Sequence, residues 1–97
     1  MTANFHPLAV LELTDAAVFY EGQAQGLGTD FLDEIERLVG LITSYPDLGR
    51  LQPGDVRTIP ARRFPYTIVY QVITDRPFVL AIAHQRREPR YWAGRVQ

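Results

Sequence analysis

Residues 83 to 92 read AHQRREPRYW and gather side chains that hold or move charge: His84, Arg86, Arg87, Arg90 and Tyr91, with Trp92 beside them. A guanidinium is a planar fork that grips a carboxylate or a phosphate through two hydrogen bonds, so this density of arginine suits an anionic or acidic partner. Histidine and tyrosine are the groups in the cluster able to trade a proton. The run follows directly on FVLAIA (78–83), a buried-strand sequence. Two readings are open: a working surface held at the end of a strand, or a solvated end of the chain.

The rest of the composition removes several chemistries. All ten basic residues are arginine, so no side-chain amine is available as a base or a Schiff-base nucleophile. Uniform arginine use fits anion binding, but a GC-rich coding bias is the preferred explanation of it. There is no cysteine, hence no disulfide, thiolate nucleophile or thiolate metal site. His6 and His84 are the only histidines and no ligands cluster around them, so neither a metal nor a cofactor is expected.

Charge is divided along the chain. Residues 1–48 carry one arginine against eight acids, net −7, and residues 49–97 carry nine arginines against three acids, net +6. Either the two halves pair with each other on folding, or the basic half faces an anionic partner. A sequence pI near 6.1 argues against autonomous nucleic-acid binding. The N-terminus does not resemble a signal peptide, and no apolar run approaches the roughly 20 residues that span a bilayer. The expectation is one soluble, cytoplasmic domain over residues 1–97.

The elements that must hold the cluster follow from periodicity. Residues 7–25 read as a helix with Pro7 in its first turn; Leu8, Leu11, Asp15 and Val18 form one row, and Leu13, Ala16, Ala17 and Tyr20 another. GLG (26–28) interrupts the chain. A second helix follows over 29–45, with Phe31, Ile35, Leu38 and Ile42 on one stripe and Asp30, Asp33 and Glu34 at its dipole-favoured start. A helix pair joined so briefly forms an antiparallel hairpin.

YPDLGRLQPGDV (45–56) reads as a turn region, and three strands follow at 56–59, 65–73 and 78–83. Met1 to His6 reads as a short edge strand. The expected fold is α+β, in the order β-α-α-β-β-β, with the helix hairpin packed on a small antiparallel sheet. Alternation puts Tyr66, Ile68, Tyr70 and Val72 on one face of the middle strand, and Phe78, Leu80, Ile82 and His84 on one face of the last. The large apolar set belongs under the helices, unless a bulge near residue 84 reverses the last strand. The opposite face is expected to be open or covered by a partner.

The phrases FHPLAVLELTDAAVFYE, GLGTDFLDEIERLVGLITSYPDLGR, VRTIPARRFPYTIVYQV and AIAHQRREPRYW, in this order and spacing, resemble the RelE/ParE superfamily of type II toxins, often called plasmid-stabilisation proteins. The resemblance covers nearly the whole chain. It implies a bacterial toxin that arrests growth and is held inactive by a cognate antitoxin. It implies two possible targets: RelE-like members cut mRNA in the ribosomal A site, whereas ParE-like members bind DNA gyrase and stall it on broken DNA.

Messenger RNA cleavage needs a base for the attacking 2′-hydroxyl, cations on the phosphate and an acid for the leaving oxygen. Arg57, Arg62, Arg63, Arg86 and Arg87 could supply cations, and His84 and Tyr91 the proton transfers; a nuclease site would comprise Arg62, His84, Arg86, Arg87 and Tyr91. His84, however, falls on the helix-facing side. Aligned through Tyr91, the position of the RelE-like catalytic arginine on the last strand is Gln85 here, and the lysines of those nucleases have no counterpart.

Gyrase binding asks for a shaped surface with arginine and aromatic anchors. Arg57, Arg62, Arg63, Arg86, Arg87, Arg90, Tyr91 and Trp92 are the expected contact residues, unless Tyr91 and Trp92 fold back as an apolar lid. The ParE-like, gyrase-directed, non-enzymatic reading is preferred. A RelE-like metal-independent ribonuclease acting on ribosome and mRNA, and a non-toxic homologue that only binds antitoxin, are the alternatives. The antitoxin is expected to lay apolar side chains near Leu11, Ala17 and Tyr20 and to point acids at the arginines.

Overall fold

A computed structural model describes residues 3–97. Helix α1 spans Pro7–Gln23 and helix α2 Leu27–Ser44. His6 caps α1 through its Nδ1, which accepts the N–H of Leu8 at 3.0 Å, while Pro7 fills a position whose missing N–H costs nothing. Between the helices Gly26 adopts φ +86°, a backbone that side chains resist. Gly28 then lets the helices meet: a Cβ there would lie 2.5 Å from the carbonyl oxygen of Ala17. Glu21 secures the same corner, accepting N–H groups from Gly26 at 2.9 Å and Gly28 at 3.0 Å.

The helices differ in what they bury. Phe31, Ile35, Leu38, Val39 and Ile42 of α2 are all buried, as their spacing requires. On α1 only Ala9 and Ala16 are buried, while Leu8, Val10, Leu11, Val18 and Phe19 stand exposed. This helix is apolar on both sides.

Five strands form one mixed sheet in the order β1-β5-β4-β3-β2, with β1 Asn4–Phe5, β2 Arg50–Gln52, β3 Val56–Pro60, β4 Tyr66–Ile73 and β5 Arg76–His84. The expected meander is β3-β4-β5, antiparallel throughout. Two features depart from the expected small antiparallel sheet: one in strand direction, one in strand number. The N-terminal strand pairs with β5 in parallel, Asn4 opposite Phe78 and Phe5 opposite Val79; Met1 and Thr2 of the expected edge strand lie outside the described residues. The turn region itself contains β2, which pairs antiparallel with β3, Leu51 opposite Arg57.

The register also shifts. Val69 faces Ala81 but Tyr70 faces Val79, so Leu80 is an extra residue in β5. Such a bulge reverses the facing of every residue beyond it. Ile82 lies under the helices with Ile68, Tyr70 and Val79, whereas Leu80, Ala81 and Ala83 line the opposite face with Val69 and Val56. The expected helix-facing positions of Phe78 and Leu80 are thereby corrected; those of Tyr66, Ile68, Tyr70 and Ile82 hold.

That second face is not left to a partner. The chain beyond β5 crosses it, packing Tyr91, Trp92 and Val96 on Val56, Val69, Leu80 and Ala83. Buried Gln71, in the middle of this face, accepts the backbone N–H of Gln97 at 2.9 Å. Its amide oxygen is satisfied by the chain's own terminus.

Candidate functional site

β5 ends at His84, and the strand pairing is extended by one bond from the N–H of Gln85 to the carbonyl of Pro65 at 2.8 Å. Beyond it the backbone turns on local bonds, Arg87 N to His84 O at 3.0 Å and Tyr91 N to Glu88 O at 3.2 Å. Arg86, Arg87 and Arg90 are each exposed. Arg90 has φ +60°, a left-handed conformation that costs a non-glycine residue energy and persists only where its surroundings enforce it.

The charges of the two halves do pair on folding, and the pairing sorts the arginines. Arg63 lies 3.5 Å from Asp30, Arg57 3.5 Å from Asp47, and Arg95 2.9 Å from Glu12, each pair joining the basic half to the acidic one. Arg86, Arg87 and Arg90 have no carboxylate within 4.0 Å among the described residues. Two of them rest on aromatic faces: Arg87 sits 3.8 Å from the Tyr91 ring centre and Arg90 5.0 Å from that of Trp92.

The remaining candidates are scattered. Arg57 faces Tyr70 in the ladder while His84 faces Tyr66, a separation of about 13 Å along β4 at 3.3 Å per residue. Its guanidinium donates to the carbonyls of Asp47 and Gly49, fastening the loop after α2; it belongs to the fold and not to the cluster. Arg62 and Arg63 stand at the same end of the sheet as His84, in the β3–β4 connection, but lean on α2: the N–H of Arg62 donates to Glu34 at 2.8 Å. Trp92 is buried, so the expectation that it meets a target is corrected to the lid reading.

The expected antitoxin positions divide likewise. Leu11 is exposed, as expected. Ala17 and Tyr20 are turned inward, Tyr20 among the rings of Phe31, Phe64 and Tyr66. Leu8, Val18 and Phe19 share the exposed side of the helix with Leu11.

The proton-transfer candidates are both engaged. The N–H of Arg86 donates to Nδ1 of His84 at 3.0 Å, so the neutral ring carries its proton on Nε2 and offers a donor there, not a base. The Tyr91 hydroxyl donates to Glu12 at 2.7 Å. Burial, together with that hydrogen bond and the Glu12 charge, pushes the Tyr91 phenol well above its ordinary value, so it stays protonated at neutral pH. Neither of the two stands as a free base beside the arginines.

Two residues that sequence reasoning passed over complete the site. Glu12 and Arg95 form a two-pronged pair, with Arg95 Nη1 and Nη2 donating to Glu12 Oε1 at 2.9 Å and Oε2 at 3.0 Å. The signal was present, since Ala9, Glu12 and Ala16 fall at the 3,4 spacing of the inward row of α1. A carboxylate on such a row needs a partner. Between α1 and the C-terminal segment lies an open groove of about 310 Å³, lined by Glu12, Asp15, Phe19, His84, Arg87 and Tyr91 among others.

A family model described as the ParE toxin of the type II toxin-antitoxin system, parDE, matches residues 3–89. Among solved structures, the chromosomal ParDE TA system from P. aeruginosa superposes with a TM-score of 0.70 at 19% identity, over 87% of this chain and 95% of that chain. At that identity the likeness is one of fold. No curated protein matches the sequence. Among the described residues no helix is long and apolar enough to cross a membrane.

Proposed function

We propose, from the premise that this chain belongs to the ParE family of toxins of type II toxin-antitoxin systems, that it arrests growth by binding DNA gyrase and is neutralised by a cognate antitoxin. The observation that carries the choice of target is the state of the 84–91 segment. Arg86, Arg87 and Arg90 are exposed with no carboxylate within 4.0 Å among the described residues, and Arg87 and Arg90 are backed by aromatic rings, which suits contact with a protein or nucleoprotein surface. The two proton-transfer candidates of the segment are both engaged: the phenol of Tyr91 is tied to Glu12, and Nδ1 of His84 accepts the N–H of Arg86. An RNA-cleaving step has cations here, but neither His84 nor Tyr91 stands free as its base.

The antitoxin reading is supported by α1. A contiguous exposed apolar stripe on a helix marks an interaction surface, and Leu8, Leu11, Val18 and Phe19 all stand exposed on one side of it. The antitoxin covers this stripe in the proposed complex, working in the reducing cytosol.

Purified protein is assayed for gyrase supercoiling and gyrase-dependent DNA cleavage, beside a translating-ribosome mRNA cleavage assay. Loss of supercoiling with accumulated broken DNA supports the reading. Cut mRNA with unaffected gyrase overturns it in favour of the RelE-like ribonuclease, and inactivity in both favours a homologue that only binds antitoxin.

A further inference from the structure

We infer that Glu12 is a positioning residue for the target surface: from helix α1, its single carboxylate holds the C-terminal segment that presents Arg86, Arg87 and Arg90. This rests on the reading of that segment as the target surface.

The geometry is a junction of three parts of the chain. Glu12 Oε1 accepts the N–H of Ile82 in β5 at 3.0 Å and Nη1 of Arg95 at 2.9 Å, and Oε2 accepts the Tyr91 hydroxyl at 2.7 Å and Nη2 of Arg95 at 3.0 Å. Arg95 Nη1 also donates to the carbonyl of Leu80 at 3.0 Å. The carboxylate and the guanidinium thus bind main-chain groups of β5 beside and beyond the bulge, where the two-residue strand β1 no longer pairs.

Among the described residues, the backbone bonds of residues 86–90 run only to His84 before them and to Tyr91 and Ala93 after them. Their placement therefore depends on the segment's two ends. One end is β5. The other is Tyr91, Trp92 and Arg95, and of these Tyr91 and Arg95 are held by Glu12. The Tyr91 ring in turn carries the Arg87 guanidinium at 3.8 Å. Trp92, buried on the second face, anchors the segment independently of Glu12. Removing the carboxylate should therefore loosen the arginines without dissolving the core.

The test compares wild type, Glu12→Ala, Arg87→Ala and the double variant, all full chain. Gyrase inhibition is titrated, and amide hydrogen exchange is followed over 86–92 and over β4. Expected for Glu12→Ala is an inhibition constant weakened at least tenfold, with exchange over 86–92 quickened tenfold or more and β4 unchanged. In the double variant the losses should fall short of multiplying, because Glu12 acts through Arg87. If Glu12→Ala does not fold, Glu12→Gln, which keeps the volume and one acceptor oxygen, carries the same comparison.

Unchanged exchange over 86–92 in a folded variant overturns the inference, as do losses that multiply in full. Absence of gyrase inhibition by wild type overturns the target reading instead; the exchange comparison then still decides whether Glu12 holds the segment.

Discussion

The hydroxyl of Tyr70 accepts the N–H of Gly49 at 2.9 Å, so closely that a Cβ on Gly49 would lie 2.6 Å from the same oxygen. The phenol in turn donates a hydrogen bond to the carbonyl of Pro46 at 2.7 Å, clamping the loop between α2 and β2 from within the core. Tyr70→Phe leaves two main-chain groups without this partner and should cost about 1–3 kcal/mol. Urea unfolding measures this; a midpoint equal to that of wild type would sink the clamp as a stabilising contact.

Gly28→Ala should cost a further order of about 1–3 kcal/mol, because the methyl meets the backbone of Ala17 and the helices must part. Gly22→Ala is the control, since nothing lies within 4 Å of a Cβ there. Thermal unfolding of the two variants side by side should show loss only for the first.

Leu11→Asp and Val18→Asp alter side chains that are 57% and 68% exposed. Each should weaken antitoxin binding by about tenfold or more, with unfolding unchanged. In cells the result is toxicity that the antitoxin no longer fully relieves. Calorimetric affinity equal to wild type for both variants would move the antitoxin to another face.

Tyr91→Phe separates binding from nuclease chemistry. The phenol, raised by burial and by its bond to Glu12, is protonated at working pH, and Arg95 still holds Glu12 when the hydroxyl is gone. The variant should keep gyrase inhibition while losing about 1 kcal/mol of stability. Abolished growth arrest by a folded Tyr91→Phe protein would argue for a tyrosine-dependent reaction.

Glu34 predicts a pH dependence. The N–H of Arg62 and the neighbouring Arg37 hold its carboxyl below the ordinary carboxylate range. A lowered folded-state value means that its contribution is complete above the unfolded pKa, about 4.3, and is lost as pH falls through the lower folded value. Glu34→Gln should therefore be less stable than wild type at pH 7, with the gap closing below about pH 4. A gap that is constant from pH 7 to pH 3 would contradict this.

Much of the fold was legible because it follows from short-range patterns. The α2 stripe predicts its buried face, GLG predicts the corner, and the β3-β4-β5 meander follows from alternation and short turns. What escaped is non-local. β2 is three residues inside a Pro- and Gly-rich stretch, and only its pairing with β3 makes it a strand. The bulge at Leu80 is silent because β5 is apolar on both faces, so alternation gives no sign of a slip. The site was half legible for the same reason. Arginine density at 86–90 is visible in one window, whereas the partnership of Glu12 with Tyr91 and Arg95 joins residues 79 and 83 positions apart. Trp92 was read as a surface anchor because its pocket is assembled from β3, β4 and β5.

The placement of the apolar stripe near one end of the chain and of the arginines near the other has a meaning in time. A ribosome delivers residues 8–19 long before residue 95 exists, and N-terminal parts are available first during synthesis. With the antitoxin seated on that stripe as proposed, its docking helix emerges while Arg86, Arg87 and Arg90 are still unmade, and Trp92 and Arg95, which pack and pair the segment that carries them, come later still. A cell that makes both proteins together can thus meet the nascent toxin with its antidote before the poison is finished.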